Sequence, residues 1–174
     1  NNFIPHITRD SHSHDIIEFK IQQVTPIDYP YYRQQSIEIA FYNDNNEDSQ
    51  KPQLITILPI IVKAEEYTDI SLQVKELDDD VSKAQFCYLN HNDAAYAKIT
   101  LDTTSLDYAV KQLSLFNNGL LRQLLWANFY DMVRDAKMSS ATYLSLIDQH
   151  LQNETDPKLI STVFNRAGSV LYNY

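Results

Sequence analysis

The chain has 174 residues, a formal net charge of −9 and 44% hydrophobic residues, values that indicate a folded protein with a core. The acid excess lies mostly in residues 1–100, which carry 16 Asp and Glu against 8 Lys and Arg, and no basic cluster that would bind nucleic acid is present. Two glycines are too few for a Gly-rich phosphate loop, and no apolar run approaches the roughly 18 residues that span a membrane.

The first hundred residues have the pattern of short β-strands. Apolar and polar residues alternate over 16–24 and 36–42, the period-two pattern of a half-buried strand. The polar stretch 43–50 that follows is predicted as a hairpin loop. Further strands are predicted at 54–58, 60–62, 69–74 and 85–89. Pro59 interrupts one apolar run, which predicts an edge strand or a bulge there.

The pattern changes to helical spacing near residue 102. Thr104, with an acid three positions later at Asp107, resembles a capping box at the start of a first helix. The apolar residues of that helix are Leu106, Val110 and Leu113. The segment 117–119 is predicted to end it. A second helix has an apolar residue at every fourth position: Leu121, Leu125, Phe129 and Val133.

Two more helices are predicted toward the end of the chain. Ser139 or Ser140 can cap the third helix. Its predicted apolar face consists of Tyr143, Leu144, Ile147 and Leu151. Asp156 followed by Pro157 begins the fourth, because proline is favoured at the first helical position. Loops of a few residues predict that the helices pack as antiparallel neighbours.

These patterns together predict an all-β region followed by an all-α region. Residues 1–100 are expected to form an antiparallel β-sandwich domain, since several short strands are separated by turns without helical spacers. Residues 101–174 are expected to begin an α-helical domain. Because apolar residues recur up to the last position, we interpret these helices as part of a truncated, HEAT-like array.

Histidine and cysteine chemistry is sparse in this sequence. The segment 12–15, His-Ser-His-Asp, holds two potential zinc ligands and a carboxylate but no evident fourth ligand, so we expect an exposed loop. His91 and His150 have no His or Cys at ligand spacing and are expected at the surface. Cys87, among apolar neighbours, is expected to be a buried, inert thiol. A single cysteine permits no disulfide within the chain, which favours a cytoplasmic location.

Charged residues give one further candidate site. Asp131 and Arg134 are three positions apart in a predicted helix. This spacing suits either an ion pair that ties the helix to its neighbours, our preferred interpretation, or an acid–base or anion-binding site. The run 78–80 of three aspartates is expected to be a solvated turn. Residues 153–155 form an N-glycosylation sequon, which has meaning only in a secretory pathway. No catalytic, cofactor-binding or metal-binding residue is predicted from the residues themselves.

Several segments resemble one family of peptidases. Residues 124–138, LLWANFYDMVRDAKM, resemble the helix of aminopeptidase N-type zinc peptidases that reads roughly L-W-x-x-x-x-D-M-V-R-D-x-x-(L/M), especially in the bacterial and puromycin-sensitive branch. Residues 90–102 are similar to that family's junction, L-N-x-(D/N)-x-x-x-Y-A-K-(V/I)-x-L-D. The segments Tyr143-Leu144 and Glu154-Thr155-Asp156 match its later Y/F-L and E-T-D steps.

The resemblance is close over residues 88–160 and looser before them. Residues 37–42 are similar to the family's I-x-I-G-L-Y strand, although Ala40 replaces the glycine. The chain is thereby identified as a C-terminal fragment of a zinc aminopeptidase of the aminopeptidase N and puromycin-sensitive aminopeptidase family, the gluzincins, without the catalytic domain. The resemblance implies a β-sandwich joined to a helical domain.

The same resemblance implies a supporting function. The parent enzyme is expected to remove N-terminal residues from peptides with a zinc-activated water. The family's zinc ligands, catalytic glutamate, catalytic tyrosine and G-A-M-E-N loop belong to earlier domains and match no residue here, so zinc is expected outside this chain. The chain is expected to position the catalytic domain of the same polypeptide, to help form the chamber for peptide substrates, and to be inactive by itself.

Two other interpretations remain open from the sequence. A sandwich with a helical array could be an independent protein-interaction module, since fold does not determine function. Alternatively, the chain could be a stand-alone hydrolase with an unrecognised site. Mutation of Asp131 or His14 would then abolish its activity.

Overall fold

The computed structural model describes residues 1–44 and 51–173. The chain divides into two compact units, Asn1–Ala109 and Val110–Tyr174. The domain boundary predicted after residue 100 stays a prediction. No helix in the described residues has the length and apolar character needed to cross a membrane.

The first unit is built mainly from strands. Its described strands are β1 (Asn2–Arg9), β2 (Ile16–Val24), β3 (Gln35–Asp44), β4 (Pro52–Val62), β5 (Tyr67–Asp69), β6 (Phe86–Leu89) and β7 (Lys98–Ile99). They form one sheet with the order β5-β2-β1-β7 and a second with the order β4-β3-β6. Two short helices, α1 (Ser71–Lys75) and α2 (Asp79–Ser82), lie between β5 and β6. A β region that precedes the longer helices is therefore confirmed.

Alternating burial explains the best-predicted strand. β2 has the predicted bounds, and Phe19 and Ile21 are fully buried while Ile17 is 45% exposed. The Phe19 ring meets the ring of Phe41 on β3 edge-on, with centroids 6.2 Å apart. An apolar side chain of this size contributes roughly 1.5–3 kcal/mol when it is fully buried. Side chains from the two sheets therefore share one apolar core.

Pro59 lies inside a continuous edge strand. β4 includes it, and β4 is the outer strand of its sheet, so the edge prediction is confirmed but the predicted break is wrong. Pro59 is paired with Glu38, whose carbonyl accepts the His91 N–H (2.9 Å) on the side away from β4. In an antiparallel strand the N–H and C=O of one residue point to the same side, so Glu38 directs both groups away from β4. Its partner Pro59 therefore does not need an N–H that points toward β3.

The strand predicted at 69–74 is wrong. The Asp69 carboxylate accepts the backbone N–H of Ser71 (2.9 Å), and α1 begins at that residue. The Val74 N–H then bonds to the carbonyl of Ile70 (3.0 Å), one helical turn earlier. Ile70 and Val74 are buried but Leu72 is 72% exposed, so burial follows a four-residue spacing and not alternation.

No strand was predicted before residue 16, yet β1 occupies Asn2–Arg9. It pairs antiparallel with β2, from Asn2 opposite Val24 to Arg9 opposite Ile16. Phe3 and Pro5 face the core, with more exposed residues between them. Of the hairpin loop predicted at 43–50, the first two residues belong to β3, and the others lie outside the described residues.

Helices make up the rest of the described chain. They are α3 (Thr103–Gln112), α4 (Gly119–Arg134), α5 (Ser140–His150) and α6 (Pro157–Asn173), with 3₁₀ turns at Leu113–Leu115 and Leu151–Asn153. The predicted stripe on α4 is confirmed, since all four of its residues are buried: Leu121, Leu125, Phe129 and Val133. On α5 the predicted Leu144 and Ile147 are only half-buried, and Leu146 is buried instead.

Two predicted helix starts are confirmed by their caps. The Ser139 hydroxyl accepts the backbone N–H of Thr142 (3.0 Å) at the start of α5. The Asp156 carboxylate accepts the backbone N–H of Lys158 (2.9 Å) before α6, which begins at Pro157 as predicted. Such caps typically contribute about 1 kcal/mol each.

The predicted cap of the first helix is wrong. Thr104 lies inside α3, and the Asp102 carboxylate accepts the backbone N–H of Ser105 (3.3 Å) instead. Asn118, predicted to end this helix, caps the next one by accepting the Leu121 N–H (3.1 Å). Aspartate and asparagine are good caps, so the signal was present but was assigned to the wrong residues.

Candidate functional site

The histidine-containing segment 12–15 lies in a tight turn that joins β1 to β2. The Asp10 carboxylate accepts the backbone N–H groups of His12 and Ser13, each at 2.9 Å, and these bonds, the Ser13 one foremost, lower the pKa of Asp10. His14 has a left-handed backbone (φ 62°), and both histidines are exposed as expected. Within residues 1–44 and 51–173 no group of three or more His, Cys, Asp or Glu side chains could hold a metal ion.

Cys87 lies at the centre of a buried polar network in the first unit. The residue is buried, as predicted, and burial raises the pKa of its thiol well above the ordinary value. The Asp102 carboxylate raises this pKa further, while the Arg9 guanidinium acts in the opposite direction. The backbone N–H of Cys87 donates to the Ser105 hydroxyl (3.0 Å). The network therefore ties β6 to the start of α3 and keeps the thiol protonated.

Both histidines predicted at the surface are buried. His91 is 6% exposed, its ring lies 6.1 Å from the Tyr42 ring, and burial lowers its pKa, so it is neutral at pH 7. His150 is 7% exposed, with Nε2 at 2.8 Å from the Val110 carbonyl oxygen and Nδ1 at 3.0 Å from the Ser114 hydroxyl. Because a carbonyl only accepts, Nε2 carries the proton toward Val110.

Asp131 and Arg134 form the predicted ion pair, with 3.3 Å between Nη1 and Oδ1. Both residues belong to α4, and their side chains are 35% and 57% exposed. The pair therefore does not join α4 to a neighbour, which corrects the structural role expected for it. An exposed pair of this kind contributes about 0–1 kcal/mol. The three aspartates at 78–80 are exposed around the start of α2, as expected.

A buried ion pair in the second unit was not predicted from the sequence. Arg122 on α4 donates from Nε and Nη2 to the two carboxylate oxygens of Glu154, at 2.8 and 2.9 Å. The Glu154 side chain is 3% exposed and that of Arg122 is 16% exposed. The guanidinium lowers the pKa of Glu154 below its ordinary value. Arg122 Nη1 also donates to the Phe116 carbonyl (2.8 Å), so the pair joins three segments.

The most characteristic residues of 124–138 form an aromatic core between α4, α5 and α6. Trp126 is 1% exposed and meets Tyr143 of α5 edge-on, with ring centroids 6.0 Å apart. Tyr130 lies 6.2 Å from the same tyrosine and donates a hydrogen bond to Ser169 on α6 (3.2 Å). The Arg166 guanidinium lies over the Tyr130 ring at 5.3 Å. The role of these residues is therefore to pack the three helices together.

Comparison with protein families identifies this helical region. The ERAP1-like C-terminal domain matches residues 86–174, just over half of the chain. The chain belongs to this family. The ERAP1-like C-terminal domain thus begins at β6 and includes the Arg122–Glu154 pair and the aromatic core around Trp126. Both features are therefore parts of the family region itself.

Comparison with individual proteins agrees. The chain is 33% identical over 86 residues to aminopeptidase N of Streptomyces lividans, and the match covers 49% of this chain. The same match covers only 10% of that protein, so the chain corresponds to a small part of its relative. The resemblance to aminopeptidase N-type proteins expected from residues 88–160 is confirmed.

Proposed function

We propose that this chain is a non-catalytic part of a zinc aminopeptidase that removes N-terminal residues from peptides. The match to the ERAP1-like C-terminal domain, with the similarity to an aminopeptidase N, carries the proposal. It is supported by the structural roles of Trp126 and Tyr143, which pack in the core, and of Glu154, which pairs with Arg122.

The catalytic metal is assigned to another part of the polypeptide. Zinc would lower the pKa of a bound water for attack on the peptide bond. The described residues of this chain include no group of ligands that fits a zinc ion, so none of them is given a role in that step. The isolated chain is therefore expected to be inactive even when zinc is supplied.

An exposed aromatic loop supports a role in positioning the catalytic domain. The segment 25–34 follows β2, and its exposed apolar residues are Ile27 (96%), Tyr29 (69%), Tyr31 (69%) and Tyr32 (38%). Its base is held by the buried side chain of Gln23, which donates to the Arg33 carbonyl (3.0 Å) and accepts the Arg33 N–H (2.8 Å). Aromatic residues on an anchored loop are typical of protein interfaces. We assign this loop to docking against the catalytic domain of the same polypeptide.

The helices of the second unit are assigned to the wall of a peptide chamber. α6 buries one stripe and leaves Phe164 (60%) and Leu171 (71%) exposed. In a HEAT-like array such residues would pack against a further helix. The two sheets of the first unit, with the Phe19–Phe41 contact between them, are assigned to a β-sandwich. A cytoplasmic location is proposed on the single, buried cysteine.

The test uses the complete reading frame that encodes this chain. We expect its product to cleave aminoacyl-p-nitroanilides, to lose activity with a chelator and to regain it with zinc. The 174-residue chain with zinc should give no hydrolysis above the buffer rate. A complete product that lacks aminopeptidase activity under these conditions would refute the proposal.

The docking role has a test of its own. Replacing Tyr29 and Tyr31 with serine in the complete product should lower kcat/KM or the melting temperature. Replacing the exposed Tyr96 (102%), which lies outside this loop and outside α6, is a matched control for the loss of a surface tyrosine. If the loop variant behaves like the wild-type protein in both measurements, the loop does not position the catalytic domain.

A further inference from the structure

A pocket in the first unit has a lining unlike the rest of its surface. Its volume is about 480 Å³, and it lies beside the turn that joins β1 to β2. Its lining residues are Arg9, Ser13, His14, Lys83, Gln85 and Thr104, together with Asn43. Volumes of about 300–1,000 Å³ are typical of sites for small ligands.

Every side chain that lines this pocket can donate a hydrogen bond, and none is a carboxylate. Arg9 and Lys83 are cations, and His14 offers a ring N–H in either of its protonation states. The surrounding residues 1–100 carry twice as many acids as bases. The pocket is therefore a locally positive site in an acidic unit, and this contrast favours a negatively charged ligand.

Two carboxylates near the pocket accept hydrogen bonds from other groups. Asp10 accepts hydrogen bonds from the backbone of its own turn, and Asp44 accepts one from the Tyr108 hydroxyl. Asp102 and Arg9 have opposite effects on the pKa of the Cys87 thiol, so the Asp102 carboxylate offsets part of the Arg9 guanidinium charge. Among the described residues, Lys83 forms no ion pair, so its charge is available to a ligand there.

The backbone holds the lining residues in place. Arg9 Nη1 donates to the His14 carbonyl (3.2 Å), and the His14 N–H donates to the Asp10 carbonyl (3.0 Å). These bonds hold His14 in its left-handed conformation beside the pocket. Thr104 belongs to the first turn of α3, and its hydroxyl can donate a hydrogen bond into the pocket.

We propose that this pocket binds a small oxyanion, the carboxylate or phosphate group of a small molecule. Lys83 and Arg9 supply charge, while His14, Ser13, Gln85 and Thr104 supply oriented donors. The site requires no catalytic residue and does not depend on the assignment to an aminopeptidase.

The test is a titration of the complete 174-residue chain, followed by backbone amide chemical shifts. Sodium phosphate and sodium acetate are added separately, with ionic strength held constant by sodium chloride. We expect saturable shifts at Ser13, His14, Lys83 and Thr104, and no saturation with chloride alone. If the shifts saturate with phosphate but not with acetate, the ligand carries a phosphate group. If they saturate with acetate but not with phosphate, the ligand carries a carboxylate. Saturation with both salts identifies an oxyanion site that accepts either group.

Two substitutions and a control make the test specific. Lys83→Gln removes an exposed cation from the pocket and should weaken binding about tenfold or more, as expected for a lost charge-assisted hydrogen bond. His14→Asn keeps a residue that tolerates the left-handed backbone and should also weaken binding. Lys75→Gln makes the same charge change at an exposed position outside the pocket. Linear shifts without saturation, or equal affinities of the Lys83 and Lys75 variants, overturn the proposal.

Discussion

The Arg122–Glu154 pair is the interaction whose loss should most weaken the second unit. The Glu154 carboxylate accepts two hydrogen bonds from Arg122 and two from the backbone N–H groups of Thr155 (2.9 Å) and Asp156 (3.2 Å). Glu154→Gln removes the charge and one acceptor oxygen, and leaves the guanidinium uncompensated. Breaking a buried pair costs about 3–5 kcal/mol, and we expect about 3 kcal/mol because glutamine retains one acceptor.

Urea unfolding followed by fluorescence measures this loss. Trp126 is the single tryptophan of the chain and is buried in the second unit, so its emission reports on that unit alone. Asp131→Asn is the matched control, because it breaks an exposed pair on the same helix and should cost at most about 1 kcal/mol. The double variant Arg122→Met, Glu154→Leu should recover much of the stability that Glu154→Gln loses, since no buried charge then lacks a partner.

The pH dependence has a definite sign. Arg122 lowers the pKa of Glu154 from its ordinary value of 4.5, so the carboxylate stabilises the folded state fully above that value. This stabilisation is lost as the pH falls through the lowered pKa of the folded protein. The wild-type advantage over Glu154→Gln should therefore shrink in acid. An advantage below about 0.5 kcal/mol at pH 7, or one that does not change with pH, would refute the reasoning.

Three further predictions concern single residues. Cys87 should not react with a thiol reagent at pH 8 until urea unfolds the chain, because burial raises its pKa; rapid labelling of folded protein would contradict this. The Tyr143 hydroxyl has no hydrogen-bond partner among the described residues. Tyr143→Phe should therefore leave the free energy of unfolding unchanged or raise it by up to about 1 kcal/mol. A clear decrease in that free energy would contradict this and show that the hydroxyl has a partner. Asp156→Ala should cost about 1 kcal/mol in the same urea assay through loss of the α6 cap, whereas Asp148→Ala, at an exposed position of α5, should cost less than half of that.

Local signals accounted for the parts of the fold that the sequence predicted well. The α4 stripe repeats at every fourth residue from Leu121 to Val133, and alternation would also place Gln123 and Asp131 on the same face, so only a helix gives an apolar stripe. Ser139 and Asp156 cap helices through atoms two or three residues away, so their partners can be inferred from the sequence. Residues 70–74 were ambiguous because Ile70 and Val74 fit both alternation and a helical turn. Only the exposure of Leu72, a tertiary property, separates the two.

Contacts between distant residues could not be predicted in the same way. Arg122 and Glu154 are 32 residues apart, and the partners of His150 are 36 and 40 residues away. A single sequence shows that these polar residues exist but not that they meet, so His150 was expected at the surface. The motif that indicated the family was more informative about ancestry than about chemistry, since Trp126 belongs to the packed core.

The position of Pro59 has a consequence for the solubility of the chain. β4 is 11 residues long, and among the described strands only β3 pairs with it. Its exposed aliphatic residues are Leu54 (46%), Ile57 (38%) and Ile61 (58%). A long apolar edge of this kind can template the addition of a strand from another molecule, the first step of aggregation. Pro59 presents no N–H at the middle of that edge, so an incoming strand would lose a hydrogen bond there, and the proline acts as a gatekeeper against aggregation.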